Sequence, residues 1–167
     1  GGTLAVTNST FSGNWARVGG GISNDYDGQL TLTNSTFSGN TNDDYNDNGG
    51  AIHNRGVLTA RNSILTNSGE YSHNCWNDGG TISGSNNLAN DGSCGASFAN
   101  AGTIRLGALG SYGGSTQTFP LLPGSAALNA GDDAACPAAD QRGIARPQGS
   151  HCNIGAFESQ GFTVAVS

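Results

Sequence analysis

Leu30-Thr31-Leu32-Thr33-Asn34-Ser35-Thr36-Phe37-Ser38-Gly39-Asn40 is a second copy of Leu4-Ala5-Val6-Thr7-Asn8-Ser9-Thr10-Phe11-Ser12-Gly13-Asn14. A looser copy runs Leu58-Thr59-Ala60-Arg61-Asn62-Ser63-Ile64-Leu65-Thr66-Asn67. The offsets of 26 and 28 residues are the length of one supersecondary unit, and self-similarity at such a period means a solenoid. Within each copy the apolar residues alternate (Leu4 and Val6, Leu30 and Leu32, Leu58 and Ala60), the pattern of a half-buried strand. Stacking the copies in register makes two apolar columns, Leu4–Leu30–Leu58 and Phe11–Phe37–Leu65, which no coil could bury by itself. The expected fold is all-β, a parallel β-helix, right-handed like other parallel crossovers. The same parity turns Asn8, Asn34 and Asn62 inward at the strand end, where an internal asparagine ladder is expected.

A second strand per coil is expected from Gly19-Gly20-Gly21-Ile22-Ser23-Asn24, Gly49-Gly50-Ala51-Ile52-His53-Asn54 and Gly79-Gly80-Thr81-Ile82-Ser83. The glycines suit corners that need positive φ, and the isoleucine supplies the inward side chain. The loops between, such as Asn42-Asp43-Asp44-Tyr45-Asn46-Asp47-Asn48, vary as loops outside a solenoid do. After Ile82 the repeat degrades. Gly84-Ser85-Asn86-Asn87-Leu88 still resembles a coil, and Leu106, Leu109 and Leu121-Leu122 are expected to continue the inner columns.

The paired Gly-Gly-Ala-Ile (49–52) and Phe-x-x-Asn elements (Phe11 to Asn14, Phe37 to Asn40) resemble repeats of bacterial surface β-helix proteins of the polymorphic outer-membrane-protein and autotransporter type. Further on come three separated motifs: Thr116 to Gly131, Asp140-Gln141-Arg142-Gly143-Ile144-Ala145-Arg146-Pro147, and Cys152-Asn153-Ile154-Gly155-Ala156-Phe157-Glu158. In that order they resemble the choice-of-anchor Q domain, which ends many secreted bacterial β-helix proteins. The resemblance covers about the last half of the chain. It implies surface display at the bacterial cell surface or outside it, and it carries over no catalytic residue. The implied organisation is β-helix coils over 1–118, a terminal coil and cap over 119–158, and a linker or strand over 159–167.

Composition agrees with a β-solenoid. The 167 residues hold 28 Gly, 19 Asn, no Lys and no Met, whereas a helical chain of this size needs Leu, Ala, Glu and Lys. A net charge of −6 with six scattered Arg argues against nucleic acid, whose phosphates need a basic face. No run of about 18 apolar residues is present, so no membrane insertion by this segment is expected. The chain opens at Gly1-Gly2 inside a repeat, and a fragment or processed product is expected. Cys75, Cys94, Cys136 and Cys152 fall into two local pairs whose spacings fit no zinc cluster. Four cysteines allow three pairings; the reading taken is Cys75–Cys94 and Cys136–Cys152, and with it an oxidising compartment.

Asp140, Arg142, Arg146 and Glu158 admit two readings: a polar active site, or a network in which the arginines bond to the acids and to open carbonyls as the last coil closes. The second is taken, because a solenoid end must be capped. Parallel β-helices also include polysaccharide lyases and glycoside hydrolases, whose chemistry needs clustered carboxylates on the outer strand face. The outward positions Ala5, Thr7, Thr31, Thr33, Thr59 and Arg61 carry none. An acid group does occur at Asp43, Asp44 and Asp47, a weak calcium candidate without the spacing or terminal Glu of an EF-hand loop. A carbohydrate-active alternative would place its catalysis there or in coils upstream. His53, His73 and His151 stand singly. An ice-binding face would need Thr-x-Thr on every coil, and here Thr31-x-Thr33 has neighbours Ala5-x-Thr7 and Thr59-x-Arg61. The sequons Asn8-Ser9-Thr10 and Asn34-Ser35-Thr36 are read as ladder residues. The expectation is a non-catalytic extracellular scaffold (adhesin, stalk or fibre subunit) with no cofactor. Its partners would be a cell-surface glycan or protein, or itself, joined head to tail through Phe162, Val164 and Val166.

Overall fold

The computed structural model describes residues 1–42, 49–69 and 73–161. The chain winds as a parallel β-solenoid of about three turns, with two disulfides and no α-helix among the described residues. The first coil holds β1 (Thr3–Thr7), β2 (Thr10–Ser12), β3 (Trp15–Ala16) and β4 (Ile22–Asn24). The second holds β5 (Gln29–Thr33), β6 (Thr36–Ser38), β7 (Thr41–Asn42) and β8 (Ile52–Asn54). The third holds β9 (Val57–Arg61), β10 (Ile64–Thr66) and β11 (Cys75–Asn77), followed by β12 (Thr81–Ser85), β13 (Leu88–Ala89) and β14 (Ala99–Asn100).

Strands stack into sheets in the orders β1-β5-β9-β12, β14-β13-β10-β6-β2, β11-β8-β4 and β3-β7, all parallel. Register places Leu4 over Leu30, Leu58 and Ile82, and Phe11 over Phe37, Leu65 and Ala89. These columns fill the lumen. Leu30, Leu58, Phe37 and Leu65 are fully buried, and Phe37 stacks on Phe11 with ring centroids 4.5 Å apart. Leu4, on the first coil, is 48% exposed. At the other end Cys75, Cys94 and Phe98 close the same apolar cluster.

The third coil departs from the expected alignment. Ile82 pairs with Leu58 on the first sheet, not with Ile52 on the third, and the place beneath Ile52 is taken by Cys75. Spacing explains this: Cys75 follows Ile52 by 23 residues and Ile82 follows Leu58 by 24, so this coil is shorter than its predecessors. Gly79-Gly80 is therefore a corner leading into β12. The outer face of the first sheet consequently gains Thr81, Ser83 and Ser85. Its rows read Ala5–Thr31–Thr59–Ser83 and Thr7–Thr33–Arg61–Ser85.

Asn8, Asn34, Asn62 and Asn86 have φ of 48°, 44°, 50° and 54° and turn the corner after each strand of the first sheet. A left-handed residue breaks the period of two, so parity cannot be carried through it. These side chains face out of the lumen, contrary to the expected internal ladder. The real ladder lies at another corner. Asn24 Nδ2 donates to Asn54 Oδ1 (2.7 Å), and Asn54 Nδ2 to Asn77 Oδ1 (2.8 Å). Each amide also donates to the carbonyl of a corner glycine, Gly28, Gly56 or Gly80. A shorter stack joins Asn14 to Asn40 (2.8 Å).

Residues 101–161 do not continue the winding. They run back along the outer face of the β2-β6-β10-β13 sheet as a strap with isolated antiparallel bridges at Leu106–Leu121, Gly110–Thr118 and Ala139–Ala145. Leu121, Ala127, Ile154 and Phe157 meet Ile64 and Leu88 in a second apolar cluster, flanked by Leu106. Leu109 and Leu122 are 39% and 42% exposed. None of these leucines extends the inner columns. At Gly155 (φ 94°) a Cβ would come within 2.7 Å of Ile64 Cδ1 and Thr36 Oγ1, so glycine is what lets the strap lie flat on the coils.

Candidate functional site

The outward asparagines are where the strap docks. Asn8 Nδ2 donates to the Ala139 carbonyl (2.7 Å), Asn34 Nδ2 to that of Asn153 (3.0 Å), Asn62 Nδ2 to that of Asp132 (3.0 Å) and Asn86 Nδ2 to that of Ala130 (3.1 Å). Asn62 Oδ1 accepts from the Asp132 N–H (2.8 Å), and its Nδ2 also reaches Asn34 Oδ1 (3.3 Å), the one rung of the expected ladder. Thr36 Oγ1 accepts from the Ala156 N–H (2.9 Å), and Thr10 Oγ1 donates to Gln141 Oε1 (2.6 Å). Each of four successive corners thus gives one asparagine to the strap. Both sequon asparagines are engaged in this way, and Asn34 is fully buried.

Inside the strap, Asp140, Arg142, Arg146 and Glu158 come together. Arg142 Nε and Nη2 grip Asp140 Oδ2 at 2.9 and 2.7 Å, and Nη2 also donates to the Glu158 carbonyl (2.5 Å). Arg146 Nη1 donates to Glu158 Oε2 (2.8 Å) and to the Asn153 carbonyl (2.9 Å), while Nη2 donates to the Gly155 carbonyl (2.8 Å). The carboxylates are satisfied from the backbone side as well. Asp140 accepts from the N–H groups of Arg142, Ile144 and Glu158, and Glu158 from those of Gln148 and Asn153. The side chains of Arg146 and Glu158 have no exposed surface. Burial pulls the Arg146 pKa below its ordinary value, against the opposing pull of Glu158 and Asp140. The Arg142 guanidinium lies 3.5 Å from the Phe157 ring centroid, and Tyr112 meets that ring edge-on. The bonding expected of these four residues is present, but on the flank of the solenoid and not at its end.

The disulfides are Cys75–Cys94 and Cys136–Cys152, with no free cysteine. The first closes the lumen; the second closes a loop of the strap, where Asp133 accepts from the Cys152 N–H (2.8 Å) and meets His151 Nδ1 at 2.9 Å. These hydrogen bonds hold the Asp133 carboxyl below its ordinary range. The calcium candidates Asp43, Asp44 and Asp47 lie outside the described residues, as do Phe162, Val164 and Val166. Among the described residues no group of three or more His, Cys, Asp or Glu could hold a metal ion.

Two constellations escaped the sequence reading. Beside the asparagine ladder runs a charge stack: Arg55 Nε bonds Asp78 Oδ2 (2.8 Å), Nη1 lies 3.8 Å from Asp25 Oδ1, and the guanidinium covers the Tyr26 ring at 5.2 Å. His53, one residue before Asn54, is 1% exposed, and neither ring nitrogen has a hydrogen-bond partner. Burial and then Arg55 lower its pKa. The other constellation is a concavity at β11, lined by His73, Trp76, Asn77, Asp91, Gly92 and Ser93 among the described residues. The signal in the sequence was the likeness of Cys75-Trp76-Asn77 to Ile52-His53-Asn54, with which it pairs residue for residue, hidden by aligning Ile82 with Ile52. No family model, curated protein or solved structure matches the chain.

Proposed function

We propose that this chain is a non-catalytic extracellular β-solenoid scaffold, a surface-display element of the adhesin, stalk or fibre type. The observation that carries the reading is the fate of the strap's acids and arginines. Four residues that could have made an active site are each bonded to one another and to backbone, with Arg146 and Glu158 closed off from solvent. A reaction centre needs groups poised to meet substrate; these are consumed in holding the strap. The hydroxyl rows on the outer face of the first sheet likewise hold no carboxylate among their strand residues.

The finer reading, a secreted bacterial protein of the choice-of-anchor Q type, rests on the strap's motifs and is supported by two disulfides, which suit an oxidising environment. Its partners on this reading are a surface glycan or protein, or a second copy joined head to tail through 162–167. The test has two arms. Incubation with pectin, alginate and glycosaminoglycan panels should yield no cleavage, whereas turnover abolished by replacing Asp43 or Asp47 would establish the enzyme reading. Protease shaving of intact producer cells should release the epitope; strictly intracellular protein would overturn surface display. Deleting 162–167 should dissolve any polymer seen by light scattering, and a clean monomer at high concentration would remove the head-to-tail contact.

A further inference from the structure

The concavity at β11 is open to solvent and has a volume of about 450 Å³, toward the small end of ligand pockets, which run from about 300 to 1,000 Å³. One side is an aromatic platform. Cys75 turns into the lumen, so the next residue, Trp76, stands on the outer face, where it is 38% exposed. The lining also includes the Asp91-Gly92-Ser93 turn. The neighbouring Cys94 is tied to Cys75, and the Cys75 N–H donates to Ser93 Oγ (3.0 Å).

Asp91 is oriented by this turn. Its Oδ1 accepts from the Ser93 N–H (3.1 Å) and from Ser93 Oγ (2.5 Å), and its Oδ2 from the Asn74 N–H (2.9 Å). The Asn74 side chain also bears on this carboxylate, so the group is held in place from both sides before any ligand arrives. Burial alone would raise its pKa, but the bonds from Ser93 and Asn74 outweigh that and hold the group below the ordinary carboxylate range. It is an anion at neutral pH in a chain whose net charge is −6. A ligand for this place must lay an apolar face on an indole, donate to a fixed carboxylate and carry no negative charge. Pyranose rings do this: their axial C–H groups make a flat apolar face and their hydroxyls line the edge.

We propose that this concavity binds a neutral hexopyranose unit of a glycan, stacked on Trp76, with a hydroxyl donated to Asp91. The idea deepens the scaffold reading by naming the partner's chemistry, yet binding is a property of the purified chain and does not depend on where the chain resides. Sugar binding with no surface location would sink the display reading alone; display with no sugar binding would sink this one alone.

With Trp15→Phe as background, Trp76 is the remaining tryptophan of two, and its emission reports the site directly. Cellohexaose, mannohexaose and chitohexaose are the neutral probes, with a galacturonate hexamer as the acidic one. At least one neutral probe should give a saturable emission change, and galacturonate should bind about tenfold more weakly or not at all. In calorimetry Trp76→Ala should weaken binding about tenfold or more, and Trp76→Phe should retain it within a few-fold. Asp91→Asn should weaken the neutral probe and narrow its advantage over galacturonate. Circular dichroism and an intact Cys75–Cys94 bridge identify folded variants. No saturable response to any neutral probe, equal binding of galacturonate, or undiminished binding by folded Trp76→Ala would each overturn the proposal.

Discussion

The coils and the strap bury different things. The lumen packs Leu30, Leu32, Phe37, Leu58 and Leu65 behind in-register strands, with each coil providing the floor for the next. The strap has almost no strand and seats Asp140, Arg146 and Glu158 out of water, so that ionic and backbone hydrogen bonds set its path. Apolar burial is non-directional and tolerates a change of side chain that conserves volume. A buried ionic network is directional and fails when one member is removed. The two regions should therefore answer differently to the same kind of substitution.

The sharpest contrast compares Phe37 with Arg146. Phe37→Ala should cost about 3–5 kcal/mol in chemical denaturation, because the vacated space lies between Phe11 and Leu65 and cannot collapse. Arg146→Ala should cost a similar ~3–5 kcal/mol by stranding Glu158 without its cation. The regions separate on rescue. Phe37→Leu should recover much of the lumen's loss, whereas Arg146→Lys should recover little, since an ammonium cannot reproduce the fork to Glu158, Asn153 and Gly155. Equal rescue at both sites would erase the distinction. Next in size, replacing Cys136 and Cys152 together by serine should cost roughly 3 kcal/mol for a loop of this length. Hydrogen exchange should then rise in the strap and leave β5 and β9 protected.

Acid should loosen the coils before the strap. His53 is held below its ordinary value of 6.5, chiefly by burial. The unfolded chain therefore binds a proton that the folded coils resist, so stability is full above 6.5 and falls as pH drops below it. Asp133 is held below 3.8 by hydrogen bonds from Cys152 and His151; its contribution is present above 3.8 and lost beneath. Denaturation midpoints should decline as pH falls below 6.5, and His53→Asn should flatten that decline. The smallest effect is expected on the hydroxyl face, where Thr31→Ala should stay within about 0.5 kcal/mol. A loss comparable with that at Phe37 would invert the assignment of inside and outside.

What could be read from the chain in advance follows from how each region is specified. Columns such as Leu4–Leu30–Leu58 repeat in one dimension, so a linear text displays them. The cysteine pairs were legible because both partners are close in sequence. The path of the strap was not, because its contacts join residues as distant as Asn8 and Ala139 and follow no period. The ladder was misplaced for a local reason: strand parity was extended through left-handed asparagines that reset it. The Asn24–Asn54–Asn77 ladder was missed because its corners differ in length, with Asp25-Tyr26-Asp27 preceding Gly28 but Arg55 alone preceding Gly56. The site at Trp76 vanished with the same misalignment.

The four asparagine contacts from Asn8, Asn34, Asn62 and Asn86 to the strap have a mechanical consequence. A bare stack of coils pulled along its axis opens at whichever coil-to-coil seam is weakest, and the rest follow one by one. Here a tether crosses every seam from Asn8 to Asn86 on one flank. Tension would have to shear the strap's attachments side by side before any seam could gape, which makes the molecule a stiffer element under load than its short strands suggest. Force spectroscopy should find a single high rupture peak for the intact chain. After the Cys136–Cys152 loop is opened, that peak should give way to a sequence of smaller ones.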